Sequence, residues 1–230
     1  MKKIRSVDSV LRSKRLCLFL LAFCLLAVFL VSFALGHYDV SLRQVTGILC
    51  NAILGPLTGG RLMLPPAWTD TMQIAVLNIR LPRILMACMV GCCLSAAGAA
   101  YQGVFQNPMA SPDVLGASSG AAFGAALAIL LGASSRMVTL SAFAFSLATI
   151  VLVFLIARHA PGMRVVNLIL AGVMISSLFS AGTSYCKLVA DPSSQLPEIT
   201  YWLLGSLSGT KITDVQLALP PMVLGCAVLL

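Results

Sequence analysis

Residues 16–36, LCLFLLAFCLLAVFLVSFALG, run for 21 positions without one charged side chain. At about 1.5 Å of rise per residue, a helix of that length crosses the roughly 30 Å hydrocarbon layer of a bilayer. Further uncharged apolar runs occupy 84–106, 114–133, 137–157 and 165–186, and a sixth, 214–230, begins at Asp214 and is still running at Leu230. A charge at the middle of a membrane helix costs about 2.5–3.5 kcal/mol, whereas each Leu, Ile, Phe or Val returns only about 0.3–0.6 kcal/mol. That asymmetry accounts for a chain that is 59% hydrophobic and 10% charged, against about a quarter charged in a soluble domain. A soluble fold is excluded. The fold class that follows is all-α: a polytopic transmembrane helical bundle, one membrane-spanning domain over 16–230 behind a basic segment, 1–15.

Six of the fifteen basic residues (Lys2, Lys3, Arg5, Arg12, Lys14, Arg15) precede the first run, with Asp8 as the only acid among them. The net charge of +8 therefore reads as a cytoplasmic flank facing anionic lipid, not as a nucleic-acid surface. A secretory signal has an apolar region of about 7–15 residues; the first run is longer, so a retained helix with a cytoplasmic amino terminus is expected. Counting helices from there puts the turns at 107–113 and 158–164 inside, the latter with Arg158 and Arg164. The long connection 37–82 falls outside and yet carries Arg43, Arg61, Arg80 and Arg83 against Asp39 and Asp70. Positive charge there needs a reason other than topology. Within the connection, Ser41–Gln44 has a capping-box pattern and Leu42, Val45, Leu49 and Ala52 follow at helical spacing, which predicts a short amphipathic surface helix stopped by Gly55-Pro56. Trp68 and the pair Tyr201-Trp202 suit the interfacial aromatic belt.

Gly91, Ser95, Ala99 and Gly103 recur every fourth residue, and Gly120 and Gly124 with Ala128 repeat the pattern; such stripes let another helix approach closely. Pro220-Pro221 should kink the sixth segment. Cys88 and Cys92 share a helix face, but without a nearby His or carboxylate they read as small packing residues, and no disulfide framework is indicated. No GxxxxGK[ST] phosphate loop, HExxH or GxSxG motif occurs, and the runs from 16 to 186 hold no Asp, Glu, Lys, Arg or His. A catalytic constellation is therefore missing, as are the intramembrane ionisable groups of a proton- or sodium-coupled carrier. No cofactor or metal is implied, and a pump built on this chain draws its energy from elsewhere.

The stretch 80–122 carries a resemblance. Arg80-Leu81-Pro82-Arg83 opens the second run, and Gly98-Ala99-Ala100-Tyr101-Gln102-Gly103 leads into Gln106-Asn107-Pro108-Met109-Ala110-Ser111-Pro112. Leu115-Gly116-Ala117-Ser118-Ser119-Gly120-Ala121 follows. Together these resemble the RxPR, "GxxLQxxxxNPLAxP" and "LGxSSGA" signatures of the FecCD-type permeases of ABC importers for iron siderophores, haem and cobalamin. Leu168-Ile169-Leu170-Ala171-Gly172 and Tyr201-Trp202-Leu203-Leu204-Gly205-Ser206 are similar to the same family, and the likeness runs from about 16 to 230.

The resemblance implies a type II ABC importer permease, here partial: a multi-pass protein of the bacterial inner membrane, not itself an enzyme. It implies a homodimer or heterodimer of permeases, separate ATPase subunits on the cytoplasmic face, and an extracytoplasmic substrate-binding protein. The carried ligand would be an iron-siderophore, with haem or cobalamin next. By the same likeness Arg80 and Arg83 meet acidic groups of the binding protein, with simple interfacial anchoring as the alternative. Asn107 and Met109, with Val165 and Val166, would narrow the pathway at the cytoplasmic mouth, or else only cap a turn. Met109 stands where the family has Leu. The family has ten helices, so a chain with six is expected to be truncated, a fragment or one part of a split permease; a secondary transporter and a non-transporting remnant are the rival readings.

Overall fold

The computed structural model describes all residues except Met1, His37, 59–64, Pro66 and Leu230. Every regular element among the described residues is helical: α1 (Lys2–Ala34), α2 (Leu42–Thr58), α3 (Asp70–Ile74), α4 (Leu81–Phe105), α5 (Ala117–Leu130), α6 (Ser135–His159), α7 (Arg164–Val189), α8 (Gln195–Leu204) and α9 (Ile212–Leu229). The chain forms two compact units, one of Met1–Val90 with Leu207–Val223, the other of Gly91–Ser206 with Leu224–Leu230. Five helical segments are long and apolar enough to cross a membrane: Arg15–Ala34, Asp70–Phe105, Ser135–His159, Arg164–Val189 and Ile212–Leu229.

In the first unit, α1 turns nearly all its Leu and Phe side chains outward, as a lipid-facing helix does. Only its last turns pack inward, where Phe33 joins Val40, Val45, Ile48 and Val76 in a small core. The capping box of α2 forms: the Ser41 N–H donates to Gln44 Oε1 at 3.0 Å, and the Gln44 N–H donates back to Ser41 Oγ at 3.4 Å. The helix carries past the predicted stop to Thr58 with Pro56 inside it. So near the carboxyl end, the missing N–H removes only one terminal bond.

The larger departure is at 70–80. Sequence places these residues in a polar connection, but Asp70–Phe105 is one unbroken helix of 36 residues. Thr69 caps it, its hydroxyl accepting the Met72 N–H at 3.4 Å. A six-residue π-helical stretch, Ala75–Arg80, precedes Pro82. Proline in a helix clashes with the carbonyl four residues back. The wider π ladder, in which Leu81 N–H bonds Val76 O, relieves that crowding and lets the helix continue.

In the second unit α5 is the central rod, packed by α6, α7 and α8. Its 14 residues span about 21 Å, too short to cross a bilayer alone. The apolar run 114–133 is thus cut down by its ends, a 3₁₀ turn at Pro112–Leu115 with Gly116 at φ 73°, and Gly132 at φ 71°. Ala125, Ala126, Ala128 and Ile129 form a core with Val138, Ala142, Cys186, Ala190 and Ile199. Phe145 meets Phe123 and Phe179 edge to face, and Phe123 and Phe179 lie tilted at 33° to each other, so that the three rings join α5, α6 and α7 with centroids 5.3–6.3 Å apart. Gln195 closes the end of α5 by donating Nε2–H to Leu130 O at 3.1 Å. Beside it, the Asp191 carboxylate accepts the hydroxyls of Ser193 (2.6 Å) and Ser194 (2.5 Å). Pro220 and Pro221 both lie inside α9.

Candidate functional site

The paired arginines of the first unit have different surroundings. Arg80 is 9% exposed. Its guanidinium donates to the carbonyls of Phe33 and Tyr38, with Ala34 O at 3.5 Å. These are carbonyls at and just beyond the last turn of α1, where a helix leaves acceptors unpaired and its dipole is negative. Gly36 makes room: a Cβ there would stand 2.6 Å from Arg80 Nη2 and 2.8 Å from Cζ. Arg83, one turn further along, is exposed, as is Arg43. Arg61 lies outside the described residues.

In the second unit the Asn-Pro turn after α4 is built from its own polar groups. Gln106 takes φ 51°, the left-handed position that follows many helices, and the Asn107 N–H reaches back to Gln102 O at 3.3 Å, the long bond of a Schellman end. The Asn107 side chain accepts the Met109 N–H at 2.9 Å. Asn107 therefore shapes the turn, and Met109, 86% exposed, is what the turn displays. Across the α6–α7 connection, Asn167 Nδ2 donates to Ala160 O (2.9 Å) and Pro161 O (3.2 Å), fixing the start of α7, on which Val165 is half-buried and Val166 exposed.

A cleft of about 530 Å³ lies between the 3₁₀ turn and α7, lined by Asp113, Val114, Ile169, Val173, Ser176, Ser177 and Ser180. Two glycines seat the turn on the helix. A Cβ on Gly172 would run into Val114 O and stand 3.2 Å from Leu115 Cα, and one on Gly116 would meet Ser176 Oγ. Gly172, part of the Leu168–Gly172 string, is a close-approach residue whose role spacing alone does not disclose.

The two small-residue stripes differ. A Cβ on Gly120 would stand 2.8 Å from Phe145 O, and on Gly124 2.7 Å from Ser141 O, so α5 lies backbone to backbone on α6. Ser141 Oγ also donates to Gly124 O at 2.7 Å. Gly91 and Gly103 have nothing within 4 Å, and Ser95 and Ala99 are exposed; that stripe has no partner among the described residues. No cluster of three or more His, Cys, Asp or Glu residues able to hold a metal occurs among the described residues.

A spanning bundle with a short buried third segment, an RxPR helix entry and an Asn-Pro turn seated on a glycine is a specific combination, and the FecCD transport family profile matches it over residues 24–230. The chain belongs to the FecCD transport family. Among FecCD relatives it is 33% identical to the molybdate import system permease protein MolB of Haemophilus influenzae, over 93% of this chain and 60% of that protein. It is 37% identical to the cobalamin import system permease protein BtuC of Halobacterium salinarum, over 90% and 62%. The hemin transport system permease protein HmuU of Yersinia pestis is 39% identical over 68% and 49%. A solved structure described as an inward-facing conformation of a metal-chelate type ABC transporter superposes with TM-score 0.73 at 31% identity, covering 90% of this chain and 59% of that one. The fold is that of an ABC transporter permease. This FecCD chain spans about 60% of the length of the MolB and BtuC relatives.

Proposed function

We propose that this chain is a permease component of an ATP-binding-cassette importer in the bacterial inner membrane, carrying a metal-centred ligand inward. The observation that carries the reading is the match of 93% of the chain to a permease of an import system, together with membrane-length helices whose apolar runs from 16 to 186 hold no Asp, Glu, Lys, Arg or His. Helices of that kind supply a conduit and not an energy source, which argues for ATPase subunits on the cytoplasmic face and for a permease dimer, homomeric or heteromeric. The ligand we favour is a ferric siderophore or similar iron chelate. Relatives named for hemin, iron chelatin and Fe(3+) dicitrate support it, while those named for molybdate and cobalamin make those the competing ligands.

In this reading the amino terminus is cytoplasmic and Arg83 faces outward to the carboxylates of a substrate-binding protein, attraction between opposite charges steering the encounter. Arg80 serves it from behind by holding α1 against the same helix. Met109, supported by Asn107, with Val165 and Val166 on α7, forms the cytoplasmic constriction. The test is uptake of radio-iron siderophore by cells carrying the complete transporter. Arg83→Glu is expected to cut uptake at low binding-protein concentration, with a defect that changes with salt; uptake competed by cobalamin or molybdate and not by ferric chelates overturns the ligand.

A further inference from the structure

Eight cysteines lie in this chain, and two of them face each other. Cys93 on α4 and Cys226 on α9 are 133 positions apart, yet their Sγ atoms are 3.9 Å from each other. Both are half-buried, and both belong to the second unit. Cys92, the neighbour of Cys93 in sequence, has an exposed side chain. Gly91, two residues before Cys93, and Gly225, next to Cys226, each have empty space where a Cβ would stand. A disulfide needs about 2.05 Å between sulfurs, so closing the gap takes about 1.9 Å of approach.

We propose that Cys93 and Cys226 are an oxidisable dithiol, a modification site at which two-electron oxidation joins α4 covalently to α9. Two S–H bonds break and one S–S bond forms; the two protons and two electrons pass to the oxidant. With a membrane-permeant azodicarboxamide such as diamide, the N=N bond accepts both and becomes the hydrazine. The oxidant has to dissolve in hydrocarbon, because Cys93 lies ten residues beyond Arg83 along the helix, roughly 15 Å. A permeant dithiol reverses the reaction by thiol–disulfide exchange. Metal capture is the other use of clustered thiols, and the described residues offer no set of three ligands for it.

The experiment treats native membranes containing the full chain with diamide, blocks remaining thiols with N-ethylmaleimide, and maps digests by mass spectrometry. Expected is the loss of two alkylatable thiols per chain and a joined Cys93–Cys226 peptide pair lacking two hydrogens, both reversed by dithiothreitol. On a non-reducing gel the oxidised chain migrates at monomer size with altered mobility. Cys93→Ser and Cys226→Ser each abolish the product, and Cys92→Ser leaves it. Full alkylation of both cysteines after oxidation, a link carried mainly by Cys92, or a dimer-sized band that disappears in Cys226→Ser would overturn the assignment.

Discussion

Arg80 shows how one side chain can look like a surface group in sequence and be an internal clamp in the fold. Written as RLPR, the two arginines invite one role. Arg80 closes the π stretch Ala75–Arg80 and donates to the carbonyls of Phe33 and Tyr38, while Arg83 stays outside. Removing a charged donor from buried carbonyls costs about 1.5–3 kcal/mol, so Arg80→Met is expected to lower stability by that amount, measured by thermal unfolding in detergent. Arg80→Lys should recover part of it, since a point charge replaces a flat fork. Gly36→Ala should resemble Arg80→Met, because its methyl occupies the guanidinium's place. Asp191 allows a pH test. The hydroxyl of Ser193, then that of Ser194, holds its carboxyl below the usual carboxylate range. A folded pKa below the unfolded one contributes stability that is present above the unfolded value, about 3.9, and lost as pH falls through the folded one. Acid titration of the unfolding midpoint should show that extra loss in the native chain, and its absence in Asp191→Asn.

At the scale of elements, the long apolar helices were legible, whereas their ends, and the helix α8 within the mixed segment after 186, were not. Runs free of charge marked 137–157 and 165–186, and the structure extends them to Ser135–His159 and Arg164–Val189. Hydropathy failed at 70–80 because Asp70, Gln73, Asn78 and Arg80 make the segment look like a loop, while its helix is set by the Thr69 cap and by the π turn that accommodates Pro82. It failed again at 114–133, where two left-handed glycines, invisible to an apolarity count, shorten α5. The small-residue stripes were readable as pattern, but pattern does not say which has a neighbour. Gly124→Val should cost about 1–3 kcal/mol by overpacking against Ser141 O and Phe145. Gly91→Ala, into empty space, should stabilise the isolated chain by about 0.5–1 kcal/mol through helix propensity. A loss of assembly in Gly91→Ala, read by co-purification, would show that a partner uses that stripe.

For the whole molecule, the described residues hold five helical segments of membrane length and one, α5, that is too short, and family membership rests on 24–230 as a continuous match. What sequence could not show was the seam between turn and rod: Gly172 against Val114, Gly116 against Ser176. Gly172→Leu is expected to displace the 3₁₀ turn and with it Asn107 and Met109, read as faster limited proteolysis of the 106–112 turn in the detergent-solubilised protein. The shortness of α5 also bears on how the protein is made. A rod of 14 residues, rich in Gly, Ala and Ser, gives the insertion machinery a weak stop signal. Biogenesis should therefore commit α5 and α6 to the bilayer as a hairpin, the second helix of the pair retaining the first. Nascent chains arrested after Ala133 should let a reporter slip through, and those arrested after Ala160 should hold it firmly on one side.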